Sequence, residues 1–259
     1  PPKESGSYYF DTHTALSNFT GAGVIGLSGG EPTFFFDDFI NLLKNEEVWV
    51  NQRKLHLLSH GRNFANLDKV ARLVETDVLE HMLIGVPVHG HASELHDAIS
   101  GVPGSYEQTI NGLLNLAYVG ANLEVRIVVN SSNIVLLPEI VTRIFSVLRY
   151  SQAFIAVMQL EPAGWASNRY DDLYVQPNLQ VKYLEEAANI AGVAGREIRF
   201  YNYPMCHLPS SLHSKANQSI SDWKNYFPKE CNQCSLKSSC CGFFKSAVRR
   251  NDLRVRPKK

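Results

Sequence analysis

All five cysteines lie beyond residue 200, and four of them, Cys231, Cys234, Cys240 and Cys241, stand close together. The run Cys231-x2-Cys234-x5-Cys240, with Cys206 upstream, offers four thiolates, enough to ligate one [4Fe-4S] cluster completely. Tetrahedral zinc uses the same donors, and the spacing does not separate the two metals. A second candidate is Val24-Ile25-Gly26-Leu27-Ser28-Gly29-Gly30-Glu31-Pro32-Thr33, a strand-like run entering a double glycine, an acid and a proline. Gly29 and Gly30 free the backbone to approach a ligand, and their carbonyls can accept from an ammonium group. Glu31 adds a carboxylate for the same cation, and Pro32 fixes the exit from the loop. The plainer reading is a tight strand-to-helix turn.

These residues need a scaffold. Short apolar runs alternate with helical patterns, which predicts repeated β-α units around a parallel sheet. Strands are expected at 24–27, 55–58, 82–86, 123–129, 154–160 and 198–201, and helices at 36–44, 67–74, 106–119, 136–148 and 179–191, where apolar residues recur every three or four positions. Ser105 is the expected N-cap of the third helix, with Gln108 completing a capping box and Gly120 as its stop. Asp37 and Asp38 are expected at the positive end of the helix after Pro32. In such architectures reactive groups gather at the carboxyl ends of the strands. After Asn202 the alternation stops, and a Pro- and Ser-rich stretch holding every cysteine follows. It carries too little apolar sequence to fold on packing alone, so a metal centre is expected to supply the difference. The basic tail from Arg249 to Lys259 is expected to be solvated and mobile.

Lys+Arg and Asp+Glu number 25 each, so no net charge draws the chain to nucleic acid or an anionic membrane. The apolar runs fall far short of the roughly 20 residues that cross a bilayer, and no leader pattern opens the chain, so a soluble, cytoplasmic protein is expected. There is no phosphate-binding or dinucleotide glycine motif. His89, His91 and His96 lack companion carboxylates and read as loop histidines. Trp165, Tyr170 and Tyr174 could line a peptide groove or simply pack. The first residue is Pro1, which reads as the start of a piece of a longer polypeptide.

The Gly-Gly-Glu-Pro run resembles the S-adenosylmethionine (SAM) amino-group motif of the radical SAM superfamily. Other segments resemble that family in order: Leu58-Ser59-His60-Gly61, where His60 replaces the usual Asn; His96-Asp97 with Gly104-Ser105-Tyr106 and Thr109-Ile110-Asn111-Gly112-Leu113; Leu123 to Asn130; and Gln159-Leu160-Glu161-Pro162. More narrowly, Tyr201 to Cys206, Gln218 to Asn225 and Cys240-Cys241-Gly242-Phe243-Phe244 resemble the C-type radical SAM maturase of His-Xaa-Ser peptide systems.

The resemblance implies a partial (β/α)6 barrel over 1–201 and an auxiliary-cluster domain of the SPASM/twitch kind over 202–259. It implies that Gly29, Gly30, Glu31 and Pro32 hold the methionyl amine of SAM, that Ser59 meets the ribose or carboxylate, and that Arg126 neutralises the carboxylate. Asn130 would be a further SAM contact, and the backbone of Leu160 and Glu161 would border adenine. Cys206, Cys231, Cys234 and Cys240 would ligate an auxiliary [4Fe-4S] cluster, with Cys241, where the family has glycine, as the spare. The implied reaction is hydrogen abstraction from a ribosomally made peptide. Implied partners are a flavodoxin or ferredoxin electron donor and a second radical SAM maturase. The family's catalytic cluster triad, Cys-x3-Cys-x2-Cys after the first strand, is absent from these residues and is expected upstream of Pro1-Pro2. The competing expectation is a noncatalytic peptide-binding or regulatory barrel with a structural zinc or iron-sulfur site.

Overall fold

The computed structural model describes residues 23–46, 49, 54–248 and 253–258. Seven strands follow one another in chain order in a single sheet: β1 (Val24–Leu27), β2 (Lys54–Leu58), β3 (Met82–Pro87), β4 (Asn122–Val129), β5 (Phe154–Gln159), β6 (Ile198–Tyr201) and β7 (Ala216–Asn217). Pairing is parallel from β1 through β3 and from β5 through β7. All six expected strands are present. The seventh, β7, is two residues long, too short for any alternation to be read.

The main helices are α1 (Phe36–Leu43), α2 (Leu67–Val74), α3 (Ser93–Ser100), α4 (Ser105–Tyr118), α5 (Leu137–Val147) and α6 (Pro177–Val193). Helix α3 was not anticipated, because His96 is its only buried residue and no apolar stripe marks it. Asp37 and Asp38 stand in the first turn of α1, as expected. The capping box at Ser105 is corrected. Gly104, at φ 76°, is the N-cap with no side-chain bond, and Ser105 is already helical, buried, with its hydroxyl 2.7 Å from Ser100 Oγ. The far end follows expectation: Gly120 is left-handed, Ala121 N–H donates to Leu116 O and Gly120 N–H to Ala117 O, a Schellman stop.

The chain divides into two compact units. The first, residues 1–88, 100–125 and 147–153, holds β1 to β3 with α1, α2 and α4. Phe39, Leu43, Leu57, Phe64, Ile84 and Leu113 are fully buried there. Helix α4 braces the turn that follows β2. A Cβ on Gly112 would sit 2.2 Å from Gly61 O, so only glycine allows this approach. Asn115 Nδ2 donates to Phe64 O and Ala65 O on the same turn, at 2.9 and 3.2 Å.

The second unit, residues 89–99, 126–146 and 154–259, holds β5 to β7 with α3, α5 and α6. Ile155, Val157, Leu184 and Phe200 are buried in its core, and Tyr203 O–H donates to Gln180 Oε1 at 2.7 Å within it. The Pro- and Ser-rich stretch continues this unit. It adds a small antiparallel pair, β8 (Asn225–Tyr226) with β9 (Phe243–Phe244), and an apolar cluster of Ile220, Cys241 and Phe244. Among the described residues no helix is long and apolar enough to cross a membrane.

Candidate functional site

In the first unit the loop after β1 is tied to the end of β2 through one carboxylate. Glu31 Oε1 accepts from Ser59 Oγ at 2.7 Å, from Thr33 N–H at 3.0 Å and from the Thr33 hydroxyl. Glu31 Oε2 accepts from His60 N–H at 2.8 Å and faces His60 Nε2 at 3.4 Å. His60 Nδ1 in turn accepts from Arg62 N–H, which places the imidazole proton on Nε2, toward the carboxylate. Burial is the main cause that holds the His60 pKa below the ordinary histidine value, against the pull of Glu31. Ser59 is buried, and its Oγ also accepts from Gly61 N–H at 3.1 Å.

The structure therefore brings the expected residues Glu31 and Ser59 together, but by bonding them to each other. The Glu31 side chain shapes the loop. Acceptors to which no donor is bonded among the described residues include the carbonyls of Gly29 and Gly30. Both glycines have positive φ, 94° and 48°, and a Cβ at either would meet nothing within 4 Å, so the backbone there is open to a ligand. Pro32 and Thr33 are buried behind them. This arrangement fits a SAM amino group held by main-chain oxygens.

The other expected contacts lie toward or in the second unit. Asn130, at the end of β4, is buried and closes its own turn: Oδ1 accepts from Ser132 N–H at 2.9 Å and Nδ2 donates to Val128 O at 3.3 Å. Arg126 is half-buried on β4. Leu160 and Glu161 follow β5, and the Glu161 carboxylate takes the Lys224 ammonium at 3.2 Å. Tyr170 is buried and stacked on Tyr174 at 4.9 Å, whereas Trp165 is 93% exposed.

Cys206, Cys231, Cys234 and Cys240 line one small cavity, closed by Phe227 and Phe243. Cys240 Sγ accepts from Met205 N–H and Gly242 N–H at 3.3 and 3.4 Å. A hydrogen bond from the Cys241 thiol is the largest cause that lowers Cys240 to a pKa of about 6, with burial opposing it. Burial and the neighbouring thiols push Cys231 up to about 11, and burial raises Cys206 as well. Cys241 is buried against Ile220 and Phe244, to one side. Among the described residues no three of His, Cys, Asp or Glu converge closely enough for a single ion. Four sulfurs around one cavity, with two N–H groups aimed at one of them, are donors suited to an iron-sulfur cluster or to tetrahedral zinc.

The expectation of a free tail is corrected. Residues 253–258 lie against the cysteine site: Val255 and Pro257 line the cavity, Arg256 N–H bonds Cys206, and Lys258 O accepts from Ser235 N–H at 2.9 Å. Leu253 O lies 3.0 Å from His207 Nε2, and His207 Nδ1 lies 3.1 Å from Gln159 Nε2. Residues 249–252 and 259 lie outside the described residues.

Sequence reasoning missed a pair in the first unit, half-buried His56 with buried Glu124. Glu124 is 1% exposed, and its Oε2 lies 2.7 Å from His56 Nε2. Its only signal was an acid within a strand that is mostly aliphatic. His89 and His96 do meet, with His89 N–H donating to His96 Nδ1 at 3.2 Å, a contact that folds the loop after β3.

No protein-family model matches the sequence, and no curated protein matches it. Among solved structures the chain is similar to anSMEcpe with bound AdoMet and Kp18Cys peptide, at 17% identity and TM-score 0.55 over 72% of this chain and 54% of that one. It is likewise similar to native anSMEcpe with bound AdoMet, at 17% identity and TM-score 0.54 over 74% and 54%. A domain of a pyruvate-formate lyase-activating enzyme from Bacteroides vulgatus aligns at 16% identity and TM-score 0.49 over 70% and 99%. The chain spans about half the length of the anSMEcpe chains it matches. It has their α/β partial-barrel fold.

Proposed function

We propose that this chain carries the SAM-binding barrel and auxiliary-cluster domain of a radical SAM enzyme that modifies a ribosomally made peptide or protein. The observation that carries the reading is the loop Gly29 to Thr33. In a fold shared with a protein that binds AdoMet, this loop is clamped by Ser59 and His60 so that two glycine carbonyls stay open to a ligand.

Held by this loop beside a reduced [4Fe-4S] cluster, SAM would supply hydrogen-abstraction chemistry toward the substrate. This chain's residues bind and orient. Gly29 and Gly30 present carbonyls to the methionyl amine, Glu31 and Ser59 fix the loop that presents them, and Arg126 is assigned to the methionyl carboxylate. Asn130 shapes the turn after β4, and the backbone at Leu160 and Glu161 is assigned to the adenine edge. The thiolates of Cys206, Cys231, Cys234 and Cys240 would hold an auxiliary [4Fe-4S] cluster, four donors being enough to ligate it fully. The electron donor is a small redox protein such as a flavodoxin or ferredoxin. The narrower assignment, a maturase of His-Xaa-Ser peptides working in the cytoplasm alongside a second maturase, rests on the sequence resemblance.

The competing reading is a noncatalytic peptide-binding or regulatory barrel whose four-cysteine site, built from donors that zinc also uses, is structural. Anaerobic iron and sulfide analysis, with equilibrium dialysis of SAM, decides between them. The enzyme reading expects about four irons per auxiliary site, lost in Cys231→Ala/Cys234→Ala, together with SAM binding that Gly29→Val abolishes. Zinc without iron after reconstitution, and no SAM binding, would establish the alternative.

A further inference from the structure

Beside the loop of Gly29 to Thr33 the first unit carries an open cleft of about 730 Å³, within the size range of ligand sites. Arg62, Lys69, Asn63 and Gln108 supply its polar lining, Phe34 and Leu67 its apolar walls, and Asp68 and His60 complete the rim. Phe34 and Leu67 are each 67% exposed, Phe34 in a turn closed by its N–H on Glu31 O and Leu67 at the start of α2. The two cations differ. The Lys69 ammonium is occupied, donating to Asn63 Oδ1 at 2.6 Å and lying 5.1 Å from the centre of the Phe36 ring. The Arg62 guanidinium is half-buried and has no carboxylate partner among the described residues. His60 beside it is held neutral by burial, which leaves Arg62 as the open cation of the cleft, with the Asp68 carboxylate exposed on the rim.

The start of α2 is not what an anion would meet, because Asn66 Oδ1 already takes the Asp68 and Lys69 N–H groups at 2.8 and 3.4 Å. A phosphate, which asks for several donors at once, is therefore poorly served. A single carboxylate suits one guanidinium, which presents two parallel N–H groups to it. Gln108 can pair with a peptide main chain, and Phe34 and Leu67 can cover an apolar neighbour in the same segment.

The cleft is also wired to the loop after β1. Asn63 Nδ2 donates to Thr33 O and Thr33 Oγ1 at 2.7 and 2.9 Å while its Oδ1 holds Lys69. His60 joins Arg62 N–H on one side to Glu31 on the other. We infer that this cleft docks an acidic segment of the peptide substrate, its carboxylate on Arg62, and that docking is coupled to SAM binding through His60 and Asn63. The inference rests on the SAM and peptide reading given above. By linkage the coupling is reciprocal: the factor by which SAM tightens the peptide equals the factor by which the peptide tightens SAM.

The test uses fluorescein-labelled hexapeptides that differ only in a central Glu, Gln or Lys next to Leu, with affinity read by anisotropy on the full-length protein, with and without SAM. The Glu peptide is expected to bind at least about tenfold tighter than the Gln peptide, the worth of a charge-assisted over a neutral hydrogen bond. Arg62→Glu is expected to reverse the preference toward the Lys peptide while its thermal melt stays that of the wild type, and Arg62→Lys to retain part of it. Equal affinities for the three peptides, a preference that survives Arg62→Glu, or displacement of the Glu peptide by inorganic phosphate alone would overturn the inference. Dialysis of SAM on the same proteins reads the earlier proposal separately. Acidic preference without SAM binding would sink the SAM reading and the coupling but keep the docking site; SAM binding without acidic preference would do the reverse.

Discussion

Ser59 Oγ donates to Glu31 Oε1 at 2.7 Å, closing the loop after β1 onto the end of β2. The side-chain exposure of Glu31 is 12%, so its acceptors are little compensated by water. Glu31→Gln turns one acceptor into a donor that faces hydroxyl and N–H donors, at an expected cost of about 2 kcal/mol; Ser59→Ala should cost about 1 kcal/mol. Because the groups share one network, the double variant should lose less than the sum. Urea denaturation of the four proteins measures this, and strict additivity would show that the clamp does not act as a unit.

Gly112 of α4 meets Gly61 O so closely that a methyl group has no room, since both neighbours are backbone. Gly112→Ala should destabilise by about 1–3 kcal/mol and displace the turn carrying Ser59 and His60. SAM affinity should fall with it, whereas Gly120→Ala, at the left-handed stop of the same helix, should cost about 1 kcal/mol and leave SAM binding alone. Denaturation paired with SAM dialysis separates the two variants.

Much of this was legible in the sequence. The six main strands declare themselves because each carries at least three aliphatic or aromatic residues within a short run, and Gly29-Gly30-Glu31-Pro32 marks the loop by residues that few turns need together. What the sequence hid depends on long-range contacts. Nothing local says that Glu31 is spent on Ser59, 28 positions away, or that His56 meets Glu124 across 68. The tail likewise reads as solvated from its charges, yet its main chain and its apolar Val255 and Pro257 are what dock against the cysteines. Helix α3 carried no stripe to see.

The histidines give a pH dependence of definite sign. His60 and His89 both have folded pKa values below 6.5, chiefly through burial. Below about pH 6.5 the unfolded chain takes up protons that the folded chain refuses, so their contribution is complete above that pH and is lost as pH falls toward the lowered values. Denaturation midpoints should drop between about pH 7 and pH 5, and the drop should shrink in His60→Gln and His89→Gln. An unchanged drop in both variants would assign it to other groups.

In the metal-free protein the thiols should differ in reactivity, because the thiolate is the nucleophile. With its pKa lowered to about 6, Cys240 is mainly thiolate at neutral pH, whereas Cys231, pushed up to about 11, stays protonated. Iodoacetamide at pH near 7, followed by peptide mass spectrometry, should label Cys240 several-fold faster than Cys231. Reconstitution with iron and sulfide should suppress both reactions. Deleting residues 253–259 should speed the labelling of Cys206, because that segment supplies the Arg256 N–H and the Val255 and Pro257 side chains beside it. If Cys206 labels equally fast with and without the segment, the tail does not shield the site. If Cys241 outpaces Cys240, the assignment of Cys240 as ligand and Cys241 as the buried spare is wrong.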